Sequence, residues 1–315
     1  MPVLLDPDAA AVYKAFQEAG RPAYETLTPP EAREFYLAAR FVSNPEPPEL
    51  QSVEPLTIPA PQGSIPARIY TPKILRTTNG LAPGLVFFHG GGWTIGNLDS
   101  HDVVSRKLAD EGQLIVISVD YRLAPEHKFP AAVDDAIAST KWIAANSKRL
   151  GIDASRLVVG GDSAGGNLAT VVAISARDGN GPAIAAQLLI YPAVDFAMTH
   201  PSHSEPETSL LLTHSAIRWF RDNYLNGTAD GGDWRASPAR AKTLIGLPRA
   251  YVLTAGADPL RDEGDEYAER LREAGVPVTY RHFSGQFHGF FTMGKLLPQA
   301  NVAASEIGAW LRALN

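Results

Sequence analysis

The chain has 315 residues, of which 45% are hydrophobic and 20% charged, a balance typical of globular proteins and unlike that of disordered, collagen-like or coiled-coil chains. A net charge of −6 without a Lys/Arg run argues against a nucleic-acid partner. The sequence has no cysteine, which excludes disulfides, zinc-thiolate sites, iron-sulfur clusters and a cysteine nucleophile. It shows neither a signal-peptide pattern nor an apolar run of about 18 residues, so we predict a cytoplasmic protein without a membrane span.

The N-terminal segment, residues 1–45, differs in pattern from the rest of the chain. Two amphipathic helices are predicted at about residues 8–18 and 30–41, and a proline-rich stretch follows them. Two candidate strands come next, at residues 52–58 and 67–70. The turn residues between these strands predict an antiparallel hairpin.

From residue 85 onward, short apolar runs alternate with helical patterns. The predicted strands cover residues 85–88, 114–119, 157–159, 187–191, 251–254 and 278–283. The predicted helices cover residues 102–111, 131–147, 164–177, 261–274 and 299–313. Apolar strands separated by helices indicate an α/β fold with a mostly parallel sheet and helices on both faces. Such sheets bind ligands at the carboxyl ends of their strands.

One segment, residues 195–237, interrupts this alternation. It contains no convincing strand, and it combines a polar run with large apolar residues such as Leu211, Trp219 and Phe220. We predict that it is an insertion that covers the carboxyl edge of the sheet. Its histidines, His200, His203 and His214, have loose spacing, and we expect them to be exposed to solvent and not to bind a metal.

A G-x-S-x-G sequence, Gly161 to Gly165, follows the predicted strand 157–159 and precedes a helical pattern. A serine on a sharp turn from strand to helix needs very small neighbours two residues away on either side, and glycine meets that need. The alternative is an ordinary glycine-rich turn. The setting between a strand and a helix favours Ser163 as a nucleophile.

Three glycines follow His89 directly after another predicted strand. Successive glycines allow backbone N–H groups to turn inward, as a developing oxyanion requires. A flexible turn and a phosphate-binding loop are the alternatives, but the sequence contains no G-x-x-x-x-G-K-[ST] or G-x-G-x-x-G motif.

A nucleophilic serine also needs a histidine and an acid, which on this kind of sheet follow it in the order acid, then histidine. Asp258 comes after one predicted strand and His288 after the next. Asp262 and Asp265 are rivals for the acid, but they fall in the first turns of a helix, where acidic residues are common. His282 alternates with apolar residues inside a strand and is interpreted as a structural residue.

These motifs together resemble the hormone-sensitive-lipase-like branch of the α/β-hydrolases, and its bacterial family IV esterases in particular. The resemblance covers about residue 50 to the end. It rests on H-G-G-G-W at residues 89–93, Y-R-L-A-P-E at 121–126, G-D-S-A-G-G at 161–166, D-P-L at 258–260 and H-G-F at 288–290. It departs from the family at Gln286 and Phe287, where bulky aliphatic residues are frequent.

The resemblance implies the roles of the site residues. Ser163 would be the nucleophile, His288 the base and Asp258 the orienting acid, and the N–H groups of Gly91, Gly92 and Ala164 would form the oxyanion hole. It also implies an eight-stranded, mostly parallel sheet with a helical cap. The cap would comprise residues 1–45 and 195–237, and the catalytic core residues 46–194 and 238–315.

We therefore predict a serine carboxylesterase that acts on small esters of short to medium acyl chain and needs no cofactor or metal. Trp93, Leu211, Phe220 and Phe287 are predicted to wall its pocket. Residues 121–126 are expected to brace the oxyanion loop, and Asp162, beside the serine, is expected to be a hydrogen-bonding support and not a second acid. An amidase, an acyltransferase and a non-catalytic receptor of the same fold are the alternatives, and a homodimer is left open.

Overall fold

A computed structural model describes residues 4–314, apart from the side chain of Asn180. The described chain forms one sheet of the strands β1 (Ser52–Ala60), β2 (Gly63–Thr71), β3 (Ala82–Phe88), β4 (Ile115–Val119), β5 (Ile152–Asp162), β6 (Ala186–Ile190), β7 (Arg249–Ala257) and β8 (Val278–Phe287). These strands lie in the order β1-β2-β4-β3-β5-β6-β7-β8. The hairpin β1-β2 and the pair β2-β4 are antiparallel, and all other neighbours are parallel. The prediction of a mostly parallel, eight-stranded sheet is confirmed.

The α-helices of the described chain flank this sheet. They are α1 (Pro7–Glu18), α2 (Pro29–Ser43), α3 (Asp102–Gly112), α4 (Ala131–Ala145), α5 (Ala164–Ser175), α6 (His214–Tyr224), α7 (Arg261–Glu273) and α8 (Pro298–Ala313). One apolar core joins α4, α5 and α7 to one face of the sheet, and a second joins α3 and α8 to the other. The prediction of helices on both faces is therefore also confirmed.

Most strands extend beyond their predicted ends, and β5 and β8 show why. β5 begins at Ile152, within a polar stretch, because Ile152 pairs with Ala82 of β3. β8 continues to Phe287, which pairs with Ala257 of β7 after an irregularity in the register. In both cases the backbone of a neighbouring strand supplies the hydrogen bonds, so the side-chain pattern marks the strand end poorly.

The N-terminal segment and the 195–237 segment meet above the carboxyl edge of the sheet. A small apolar cluster joins Ala32 of α2, Ala216 and Phe220 of α6, and Ile95 from the loop after β3. Tyr24, in a short 3₁₀ turn between α1 and α2, lies 5.5 Å from Phe220, measured between ring centroids. The two segments therefore cover the loops in which the predicted site residues lie.

Candidate active site

Ser163 occupies the turn between β5 and α5. Its φ of 56° and ψ of −117° belong to a backbone conformation that non-glycine residues rarely adopt. The Ser163 N–H donates a hydrogen bond to the carbonyl oxygen of Ile190 in β6, 2.8 Å away. A Cβ atom at Gly165 would lie 1.8 Å from the carbonyl oxygen of Phe88, so the turn can close only with glycine there. The local sequence and the neighbouring strands together aim the serine side chain out of the sheet.

His288 and Asp258 follow the ends of β8 and β7, and the structure brings both to Ser163. The Nε2 atom of His288 lies 2.9 Å from the Oγ atom of Ser163, and its Nδ1 atom lies 2.7 Å from Oδ2 of Asp258. The other carboxylate oxygen of Asp258 accepts the N–H of Leu260 at 2.8 Å. The Asp258 side chain is fully buried. A hydroxyl, an imidazole and a carboxylate thus form one hydrogen-bonded chain.

The rival residues take other positions. Asp262 accepts hydrogen bonds from Arg261 and from the N–H of Ser202. Asp265 accepts a hydrogen bond from the hydroxyl of Tyr280 at 2.6 Å. His282 lies within β8, with its Nδ1 atom 2.9 Å from the Thr254 hydroxyl. The structure brings none of them into hydrogen-bond contact with His288 or Ser163.

The glycine loop after β3 lies beside the serine. Gly91 and Gly92 have positive φ values of 123° and 55° and line the same cavity as Ser163. Among the described residues, the N–H groups of these two glycines donate to no other protein group. Ala164 is the first residue of α5, so its N–H has no partner within the helix and lies at the positive end of the helix dipole.

Residues on both sides hold this loop in place. The carboxylate of Asp162 accepts the N–H of Gly90 at 2.9 Å. Burial raises the pKa of Asp162, but the nearby His101 and the Gly90 N–H outweigh burial and hold that pKa below its usual range. The hydroxyl of Tyr121 donates to the carbonyl oxygen of His89 at 2.7 Å, and the two rings stack. Asp162 is thus the predicted hydrogen-bonding support, and Tyr121 contacts the loop as expected.

Arg33 of α2 connects the N-terminal segment to the same loop. Its Nε atom donates to the carbonyl oxygen of Thr94 at 2.9 Å, and Nη2 donates to that of Ala124 at 2.8 Å. The Glu126 carboxylate accepts from both terminal nitrogens of the guanidinium. The backbone N–H of Ala124 donates in turn to the carbonyl oxygen of Trp93. Sequence reasoning missed Arg33, because no local pattern relates it to residues so far along the chain.

A cavity of about 320 Å³ opens onto Ser163 and His288. Trp93, Leu211 and Phe220 line it, as predicted. Phe287 does not line it and is fully buried in the core on the other side of the site, so its assignment to the pocket wall is wrong. Because β8 continues through this residue, the Phe287 side chain points into that core.

The expectation that the insertion histidines are exposed is wrong, because His200 and His214 are half-buried and His203 is buried. The Nε2 atom of His203 lies 2.9 Å from Oε2 of Glu263 in α7, and both side chains are buried. Burial raises the pKa of Glu263. Within residues 4–314 no group of three or more His, Cys, Asp or Glu side chains is placed to hold a metal ion.

The chain resembles known ester hydrolases in both sequence and structure. The α/β hydrolase fold family matches residues 85–292. The chain is 44% identical to the carboxylic ester hydrolase LipN of Mycobacterium tuberculosis, over 83% of this chain and 70% of that protein. It is 36% identical to an ethyl acetate hydrolase of Pseudomonas putida, over 94% and 95% of the two chains.

Solved structures show the same similarity. An α/β hydrolase from the metagenome of Lake Arreo superposes with a TM-score of 0.93 at 40% identity, over 98% of both chains. An esterase from the archaeon Pyrobaculum calidifontis superposes with a TM-score of 0.89 at 38% identity, over 99% of both chains.

The chain therefore belongs to the α/β-hydrolase family, as a member of its hormone-sensitive-lipase-like branch. Within that family it is a carboxylic-ester hydrolase. No helix in the described part of the chain is long and apolar enough to cross a membrane.

Proposed function

We propose that the chain hydrolyses esters of short to medium acyl chain through an acyl-serine intermediate. The observation that carries this proposal is the hydrogen-bonded chain from Ser163 through His288 to Asp258, at 2.9 and 2.7 Å. A serine hydroxyl is a poor nucleophile at neutral pH unless a base removes its proton. In the proposed reaction the imidazole of His288 removes this proton, and the carboxylate of Asp258 orients the imidazole.

In the proposed reaction, Oγ of Ser163 attacks the ester carbonyl while Nε2 of His288 takes the hydroxyl proton. The N–H groups of Gly91, Gly92 and Ala164 stabilise the negative charge that develops on the carbonyl oxygen. The alcohol leaves with the proton from His288. Water, deprotonated by the same imidazole, then releases the acid from the serine. The free N–H groups of the glycine loop and the helix start at Ala164 support this assignment of the oxyanion hole.

We assign residues 1–45 and 195–237 to a cap, as the sequence predicts. Residues from both segments line the cavity, among them Phe16 and Tyr36 from the first and Leu211 and Phe220 from the second. These apolar side chains support a pocket that is closed at its far end. Such a pocket accommodates an acyl chain only up to the length that fills it.

The pocket predicts a defined optimum of acyl length. We expect kcat/KM for 4-nitrophenyl esters to rise over the first few chain lengths and then fall, because each methylene gains about 0.8 kcal/mol of burial only while there is room. A series from acetate to palmitate measures this directly, and matched anilides test amidase activity. Rates that keep rising through long-chain triglycerides, or that jump above the solubility limit of the substrate, would contradict a closed pocket.

Arg33 is expected to act as a positioning residue for the oxyanion loop. Replacing it by Gln removes the charged donors to Thr94 and Ala124, and we expect kcat for 4-nitrophenyl acetate to fall on the order of 10-fold with little change in KM. Arg33→Lys should recover part of kcat. The control is Arg281→Gln, which breaks a pair with Glu306 outside the cavity lining. If Arg33→Gln and Arg281→Gln lower the melting temperature equally and both leave kcat unchanged, Arg33 has only a structural role.

A further inference from the structure

Two arginines of the N-terminal segment border the cavity without an anionic partner. Arg21 follows α1 and Arg40 lies near the end of α2, and both side chains line the cavity that contains Ser163 and His288. Among residues 4–314, no carboxylate oxygen lies within 4.0 Å of a nitrogen of either guanidinium. Burying a cation without a partner is costly, so this arrangement needs an explanation.

Arg40 is the more deeply buried of the two. The residue is only 5% exposed, and its Nε atom is buried with no hydrogen-bond acceptor in the described chain. Its one hydrogen bond to a described residue runs from Nη1 to the hydroxyl of Thr292, in the loop that follows His288. The ring of Tyr36 lies 4.8 Å from the guanidinium carbon. A guanidinium has five N–H donors, so most of the donors of Arg40 are unused.

The guanidinium of Arg21 packs against two aromatic rings. Its guanidinium carbon lies 4.3 Å from the ring centroid of Phe16 and 4.8 Å from that of Phe35. Rings over the faces of a guanidinium leave its N–H edge available, and that edge is the part that binds a carboxylate. Burial lowers the pKa of Arg21. Interaction with Tyr24 opposes this shift in part, and repulsion from the positive charge of Arg40 adds to it. A bound anion would relieve both penalties.

The acidic residues that border the cavity do not neutralise these cations. Asp162 binds the N–H of Gly90, Asp195 pairs with Arg240, and Glu263 accepts the N–H of Val194. Glu25 is exposed. The part of the cavity formed by α1 and α2 is therefore positively charged and aromatic, although the chain as a whole carries a net charge of −6.

We propose that Arg21 and Arg40 form an anion subsite, so that the preferred substrates are esters that carry a free carboxylate away from the scissile bond. This proposal rests on the proposed ester hydrolysis at Ser163. The carboxylate of the substrate supplies the anionic partner that Arg40 lacks, and it lies against the N–H edges of both guanidinium groups. An uncharged ester of equal size leaves those donors unpaired in a site shielded from water, and it therefore binds less well.

The test compares charged and neutral esters of matched shape. The acyl-side pair is mono-4-nitrophenyl glutarate and 4-nitrophenyl 5-methylhexanoate, and the alcohol-side pair is 4-acetoxybutanoate and 4-methylpentyl acetate. For at least one pair, we expect Arg40→Met to lower the ratio of kcat/KM for the charged to the neutral ester by about 10-fold or more. Arg21→Met should lower it in the same direction, and Arg40→Lys should retain part of it.

The control variant is Arg281→Met, which removes an exposed arginine that pairs with Glu306 and is not part of the cavity lining. This variant should leave both ratios unchanged. If folded Arg40→Met and Arg21→Met proteins show the same charged-to-neutral kcat/KM ratios as the wild type, the subsite is wrong. If Arg40→Met does not fold, Arg21→Met and Arg40→Lys decide the question by the same ratios.

Binding separates this proposal from the proposed hydrolysis. Calorimetric titration of glutarate into the Ser163→Ala protein measures the subsite without turnover. We expect the affinity to fall at least about 10-fold when Arg40→Met is added to that protein. If the wild-type protein hydrolyses none of the four esters, the proposed function is wrong. If glutarate binds equally well to the Ser163→Ala protein with and without Arg40→Met, the subsite is wrong.

Discussion

Ser163→Ala is expected to abolish ester hydrolysis while the protein stays folded. The change removes one hydroxyl from the turn between β5 and α5 and leaves the small neighbouring residues in place. By comparison with the loss of a triad serine in other hydrolases, kcat should fall on the order of 10⁶-fold. Steady-state hydrolysis of 4-nitrophenyl acetate measures the loss, and a melting curve checks the fold.

Covalent labelling provides a second measurement of the same residue. An organophosphate should modify the wild-type protein at Ser163 and should leave the Ser163→Ala protein unmodified, which mass spectrometry of the intact chain shows. A folded variant that retains a tenth of the wild-type activity, or that is still labelled, would show that another group is the nucleophile.

Asp258→Asn is expected to have the second largest effect. The amide can no longer hold the proton of His288 on Nδ1, so Nε2 loses the tautomer that accepts the serine proton. A comparable change in a serine protease triad lowers kcat by about 10⁴-fold, and we expect a loss of that order. KM should change little, because the side chain of Asp258 is fully buried and does not line the cavity.

Asp262→Asn is the matched control, because it makes the same chemical change in the first turn of α7. Asp262 accepts hydrogen bonds from Arg261 and Ser202, and Glu205 also pairs with Arg261. Asp262→Asn should act mainly by lowering the melting temperature, and its effect on kcat should be small. Similar kcat losses in both variants, with melting unchanged, would contradict the choice of Asp258 as the acid.

The elements and their class followed from local patterns in the sequence. Alternation of apolar runs with amphipathic helices predicted the parallel sheet and its flanking helices. Glycines at fixed distances from Ser163 predicted the strand-to-helix turn, since such a turn depends on steric limits within a few residues. Ser163, Asp258 and His288 each follow a candidate strand, and this order predicted that the sheet would bring them together.

The sequence-based errors have a common physical cause. Phe287 stands next to His288 in the chain, yet the continuation of β8 directs its side chain into the core. His203 lies in a polar stretch, yet that stretch packs on α7 and buries it against Glu263. In both cases a neighbour that is distant in sequence determines which side of the chain is buried, and a local pattern contains no information about that neighbour.

By itself, the sequence determined the fold class and the strand-to-helix turn at Ser163, because each depends on periodicity or on short spacings along the chain. The order of the candidate strand ends and the family motifs predicted the three residues of the candidate triad. Only the tertiary structure decided how the two covering segments meet and which polar groups they bury. Arg33 reaches the oxyanion loop, and Arg21 and Arg40 border one cavity, through contacts between segments far apart in sequence. The burial and pairing of a charge depend on everything packed around it, and only the folded chain brings those groups together.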